Sequence, residues 1–171
     1  MSDGMTADER SAIERFPLIA VEFCRLIDDC DKLNRRQFVN ELAAHLAMLC
    51  EVGVRLPSVE PATEDVDHTP EAVAAHTEEW VKLSGNLRRI FGSLDGYWEV
   101  FDPTQKGDPV SCSLAIDIAE VYLDLKDSLT LLRSGTAIDD IHWQWRFDFH
   151  DHWSRHASSV LKVMLHISDL A

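Results

Sequence analysis

The stretch that most constrains this chain runs from Trp143 to His156, W-Q-W-R-F-D-F-H-D-H-W-S-R-H. Read as a helix, Trp145, Phe149 and Trp153 recur at i, i+4 and i+8 and form one aromatic stripe. His142, Arg146 and His150 form a second row at the same spacing, and Asp148, His152 and His156 a third. Successive helical residues are rotated by ~100°, which sets the His142/Arg146/His150 row amid the apolar face. A cation there requires an acid, a ligand or water, because burying a lone charge is too costly.

The remaining segments also carry helical signals. Thr6 with Glu9 reads as a capping box opening a first helix to about Asp29, although Pro17 demands either a kink or a separate N-terminal turn. Residues 1–15 are accordingly expected to be loosely ordered. Asn34 with Gln37 opens a second helix, marked by Phe38, Leu42, Leu46 and Leu49 and ended by Leu56-Pro57. Residues 57–69, with two prolines and four acids, read as an exposed acidic loop. Thr69-Pro70-Glu71 starts a third helix that ends near Gly92. In L-D-G-Y-W-E-V-F-D-P, the residues Tyr97, Trp98 and Phe101 are expected to plug the end of a bundle, with lining a pocket as the alternative. Ser111 or Ser113 caps a fourth helix to about Arg133, with Gly135 as its stop. Thr136 and Asp139 make a further capping box, from which a last helix continues to about Ser168. No strand-like alternation of useful length occurs. The expectation is an all-α chain, residues 1–171 forming a single-domain bundle of about five main helices.

Charge narrows the function classes. Thirty acidic against sixteen basic residues give a formal net charge of −14. Such a surface repels phosphate backbones and anionic lipid, so nucleic acid and membrane are not expected partners, whereas a basic protein is. No apolar run approaches a membrane span, and the acidic start lacks the layout of a signal peptide, which implies a cytoplasmic protein. Cys24, Cys30, Cys50 and Cys112 contain no C-x-x-C pair and read as free thiols. Nothing in the chain calls for a cofactor, and nothing selects an oligomeric state.

The fourth helix supplies acids for the basic rows. Asp117, Glu120, Asp124 and Asp127 line up at i, i+3, i+7 and i+10. The short S-G-T connection makes the fourth and last helices antiparallel neighbours. On a structural reading, Arg146 is tied to Glu120 or Asp124 and the histidines are edge residues. On a functional one, Glu120 and Asp124 join the H-x-x-x-H pair His152 and His156 in a cage for zinc, manganese or iron. Glu120, Asp124, Arg146, His150, His152 and His156 together are the expected polar cluster, ligand-binding or structural.

The segments A-V-E-F-C-R-L-I, L-A-M-L-C-E-V-G-V-R-L-P, L-D-G-Y-W-E-V-F-D-P, D-I-A-E-V-Y-L-D-L-K-D-S-L and W-Q-W-R-F-D-F-H-D-H-W-S-R-H resemble a bacterial family, the domain-of-unknown-function 5063 family. The likeness runs through most of the chain. It implies a helical domain without an established activity, and a pattern falling on Glu120, Tyr122, Asp124, Trp145, Arg146, Phe147, His152 and Trp153. Ser154 stands where the family pattern implies a small residue, often glycine. The chain is also similar in one respect to HEPN-type ribonucleases, all-α dimers with an Arg and a His a few residues apart on a late helix. That likeness implies Arg146 stabilising a phosphorane and His152 acting as base. Phe147, directly after the arginine, departs from the polar residue usual there. The expectation that follows is a non-enzymatic protein-binding or regulatory domain, with a metal-binding bundle or a HEPN-like ribonuclease as alternatives.

Overall fold

The computed structural model describes residues 4–62, 70–100 and 102–168, the side chains of 70–76 excepted. The chain forms a mostly helical bundle: α1 (Ala7–Asp28), α2 (Arg35–Gly53), α3 (Pro70–Phe91), a hairpin of β1 (Gly96–Glu99) and β2 (Val110–Ser113), α4 (Leu114–Leu131), α5 (Ile138–Asp148) and α6 (Ser154–Ile167). The main helix contacts are α1 with α2, α2 with α6, α3 with α4, and α4 with both α1 and α6. Among the described residues, no helix is long and apolar enough to cross a membrane.

Local signals fix the helix starts. Thr6 and Glu9 form a reciprocal capping box at α1, as do Asn34 and Gln37 at α2. Pro17 does not divide the first helix, and residues 7–15, expected to be loosely ordered, belong to it from its first turn. The Thr69 cap lies outside the described residues, as does most of the acidic loop. Of the rest of that loop, Pro57 is buried while Ser58, Glu60, Pro61 and Ala62 are exposed. Ser113 caps α4, its hydroxyl accepting from the amide of Ile116. The Thr136/Asp139 box does not form: Ala137 occupies the cap position without a side-chain bond, and Thr136 pairs with the Ser134 hydroxyl instead.

Two expectations fail for physical reasons. The first is that no strand would occur. Gly96–Glu99 pairs antiparallel with Val110–Ser113, Tyr97 opposite Cys112. Four-residue strands are too short to show an alternation, and their pairing across a long loop is invisible locally.

The second is an uninterrupted last helix. Residues Phe149–Trp153 wind as a π turn between α5 and α6. Ile141, Trp145, Phe149 and Trp153 are all buried. Each four-residue step overshoots an α-helical turn by ~40°, so these side chains would drift round a straight α-helix. One wider turn holds them on the core face. After it, Ala157, Val160, Met164 and Ile167 return to steps of three and four and are buried.

The core gathers around these aromatics. Phe16 meets Trp145 with ring centres 4.7 Å apart, and Phe149 meets Trp153 edge-on at 4.8 Å. Gly53, last in α2, lies against the Phe149 ring with no room for a side chain. The four cysteines are free thiols, and burial pushes that of Cys24 up to about 12.

Candidate functional site

The acidic row of α4 meets the histidine row across the π turn. His156 Nδ1 lies 2.7 Å from Asp117 Oδ1, and His152 Nδ1 lies 2.7 Å from Asp124 Oδ2. The two rings stand edge to face with centres 5.0 Å apart. Asp117 is buried, and its second oxygen accepts a 2.6 Å bond from the Tyr97 hydroxyl. Strand β1 brings Tyr97 there, and Asp95 secures the junction of hairpin and helix. Its carboxylate accepts from the Ser113 hydroxyl and the Ala115 amide, each at 2.8 Å.

Hairpin, α4 and α6 thereby enclose a cleft of about 680 Å³, whose lining includes Tyr97, Glu99, Asp117, His152, Arg155 and His156. Each imidazole facing it uses Nδ1 on a carboxylate, so Nε2 is the nitrogen left for a visitor.

Electrostatics follow from this packing. The hydrogen bond that His156 donates to Asp117 raises the pKa of the imidazole against the opposing effect of burial. Burial raises Asp124, with the His152 bond acting the other way. Asp148, four residues before His152, is pushed up to about 7 by burial, with Asp124 and Asp127 adding repulsion. Tyr97 is raised by burial and by its bond to Asp117.

The other expected members lie elsewhere. Arg146 contacts neither Glu120 nor Asp124: its guanidinium donates to the carbonyl of Leu56, just past α2. The reason is angular. On α5, Arg146 and Asp148 are ~200° apart, so the face towards α4 carries Asp148 and the histidines that follow it. Arg146 and His152 thus address different neighbours, the segment just after α2 for Arg146 and α4 for His152. Nor does the His142/Arg146/His150 row sit within the apolar face, for Arg146 is half-buried and His150 exposed. His150 rests its ring edge-on to Phe149, and burial and Arg146 lower its pKa.

Glu120 accepts a 2.8 Å bond from the Trp80 indole, and Tyr122 donates to Asp28 at 2.7 Å. Among the described residues, no three of His, Cys, Asp and Glu are grouped to hold a metal ion. Trp98 is 70% exposed and plugs nothing, while Phe101 lies outside the described residues. Sequence reasoning placed Asp117 in the acidic row but not in the cluster, and gave Arg155 no role. The one available signal was that Asp117 leads the row and so faces the far end of an antiparallel helix.

Fold and site together define a mostly helical domain in which one cleft wall carries two carboxylate-held imidazoles. The chain belongs to the family described as Domain of unknown function (DUF5063), which matches residues 7–169. This is the family whose motifs the sequence resembles. Among solved structures, protein BF1032 from Bacteroides fragilis is similar, with 19% identity over 91% of each chain and a TM-score of 0.72. At that identity the likeness is one of fold. No curated protein matches.

Proposed function

We propose that this chain is a cytoplasmic protein-binding or regulatory domain whose partner is a basic protein docking over the hairpin and its cleft. The supporting observation is Trp98, 70% exposed on β1 between two residues that line the cleft. Large aromatic side chains are the usual anchors of protein interfaces. The cleft on the other face of the strand is lined by Glu99, Asp102, Asp117 and Asp151 together with Arg155, and Glu99 already pairs with Lys162 and Asp117 with His156. A lysine or arginine of the partner can lie on the indole face, which strand alternation turns away from the cleft lined by Tyr97 and Glu99. The net charge of −14 speeds the approach of a basic partner and repels nucleic acid.

The test is photo-crosslinking in the native cells, with p-benzoylphenylalanine replacing Trp98 and, in a control, replacing Val81, which is 58% exposed on α3. The expected result is an adduct specific to position 98, with a protein of basic surface. Identical adducts at both positions, or an acidic partner, would refute the proposal.

A further inference from the structure

The His152–His156 pair has a second property, independent of any protein partner. Histidines four residues apart on one helix face are a recurring way to present two nitrogens to a single metal ion. Such a pair is common and by itself says little. Here each Nδ1 is already held, by Asp124 for His152 and by Asp117 for His156, at 2.7 Å in both cases. A carboxylate on one ring nitrogen fixes the tautomer, orients the ring and makes the other nitrogen a better donor to a metal.

The ring spacing agrees with shared ligation. With metal–nitrogen distances of about 2.0–2.1 Å, each ring centre lies about 3.2 Å from the ion, and two at a tetrahedral angle lie about 5.2 Å apart. The observed separation is 5.0 Å. The two aspartates stand seven residues apart on α4, ~10 Å along its axis, and each Nδ1 turns to its own aspartate, which leaves Nε2 as the unbonded nitrogen of each ring. Both histidines line the cleft, and the His152 side chain is 48% exposed, so an ion has a path in.

We propose that His152 and His156 bind one divalent transition-metal ion through their Nε2 atoms, with Asp124 and Asp117 as positioning residues rather than ligands. This reassigns Asp124 and leaves Glu120, bonded to Trp80, outside the site. Among the described residues no third His, Cys, Asp or Glu completes the set. The remaining coordination positions therefore go to water or to a donor group on a bound molecule. Nitrogen ligands favour zinc, nickel and copper over magnesium or calcium.

Titration of zinc chloride or nickel chloride into chelator-treated protein, purified without an affinity tag and with no partner present, tests the site. One equivalent is expected to bind saturably. His152→Ala should abolish that binding and His150→Ala should leave it intact. Asp124→Asn should weaken it about 10- to 100-fold while both imidazoles remain. Circular dichroism verifies that each variant is folded. His152 is half exposed, so its variant decides the matter even if His156→Ala does not fold. No saturable binding, binding that survives His152→Ala, or an unchanged affinity in Asp124→Asn would each overturn the proposal.

Discussion

Replacing Gly53 by alanine tests how the π turn is seated. Gly53 is the last residue of α2, and its φ is not in the left-handed region, so the backbone itself does not require glycine. Helix propensity alone favours alanine by about 0.5–1 kcal/mol. Packing opposes it. A Cβ at position 53 would stand 2.4 Å from both Cδ2 and Cε2 of Phe149 and 3.0 Å from Cζ. Carbon atoms ordinarily meet at about 3.5–4.0 Å, so the ring must move by more than an ångström. It has little freedom, being edge-on to Trp153 at 4.8 Å and to His150 at 4.9 Å. Overpacking of this kind costs about 1–3 kcal/mol, more than propensity returns, so Gly53→Ala should lose about 1–2 kcal/mol. Urea unfolding of the wild type and both single and double variants with Phe149→Leu measures it. In the Phe149→Leu background the alanine should be neutral or stabilising. A Gly53→Ala protein as stable as the wild type would refute the packing argument.

Three further outcomes follow from the same geometry. Asp148 titrates near 7 in the folded chain, above its ordinary 3.8, so the native state holds the extra proton and stability falls as pH rises from about 4 to about 7. Asp148→Asn should flatten that fall, by no more than about 4 kcal/mol and by less to the extent that water reaches the carboxylate; denaturation midpoints at pH 5 and pH 8 measure it, and unchanged pH dependence would count against the burial. Arg146→Met loses the bond to the Leu56 carbonyl and should cost about 1.5–3 kcal/mol, with coupling to Asp124→Asn below about 0.5 kcal/mol in a double-mutant cycle. A larger coupling would restore the Arg146–Asp124 pair. Asp95→Ala should lower stability by about 1–2 kcal/mol, because the carboxylate secures both Ser113 and the first turn of α4; thermal unfolding reads this directly.

What could be read from the sequence divides by range. The caps at Thr6 and Asn34 were legible because each involves residues three apart. The burial of Trp145, Phe149 and Trp153 was legible from their spacing, and the same run of four-residue steps carried an unread sign of the π turn. The hairpin escaped notice because β1 and β2 are separated by a long loop and show no period of their own. At the site, the acidic row and the histidine row were both visible. Their pairing was not: which acid meets which imidazole depends on how α5 and α6 are rotated against α4, and no local pattern encodes that rotation. Arg146 was assigned to the acids for want of that angle, when a carbonyl after α2 lay within its reach.

The central claim is that Asp117 and Asp124 hold both imidazoles by Nδ1 and leave both Nε2 atoms to the cleft. Long-range proton–nitrogen NMR of the histidine side chains, recorded above the pH at which the imidazoles lose their charge, reads this directly. The account predicts that His152 and His156 both carry their proton on Nδ1 and show an unprotonated Nε2, and that Asp124→Asn shifts His152 alone. A proton on Nε2 in either ring, or the rapid tautomer averaging of a free imidazole, would contradict it.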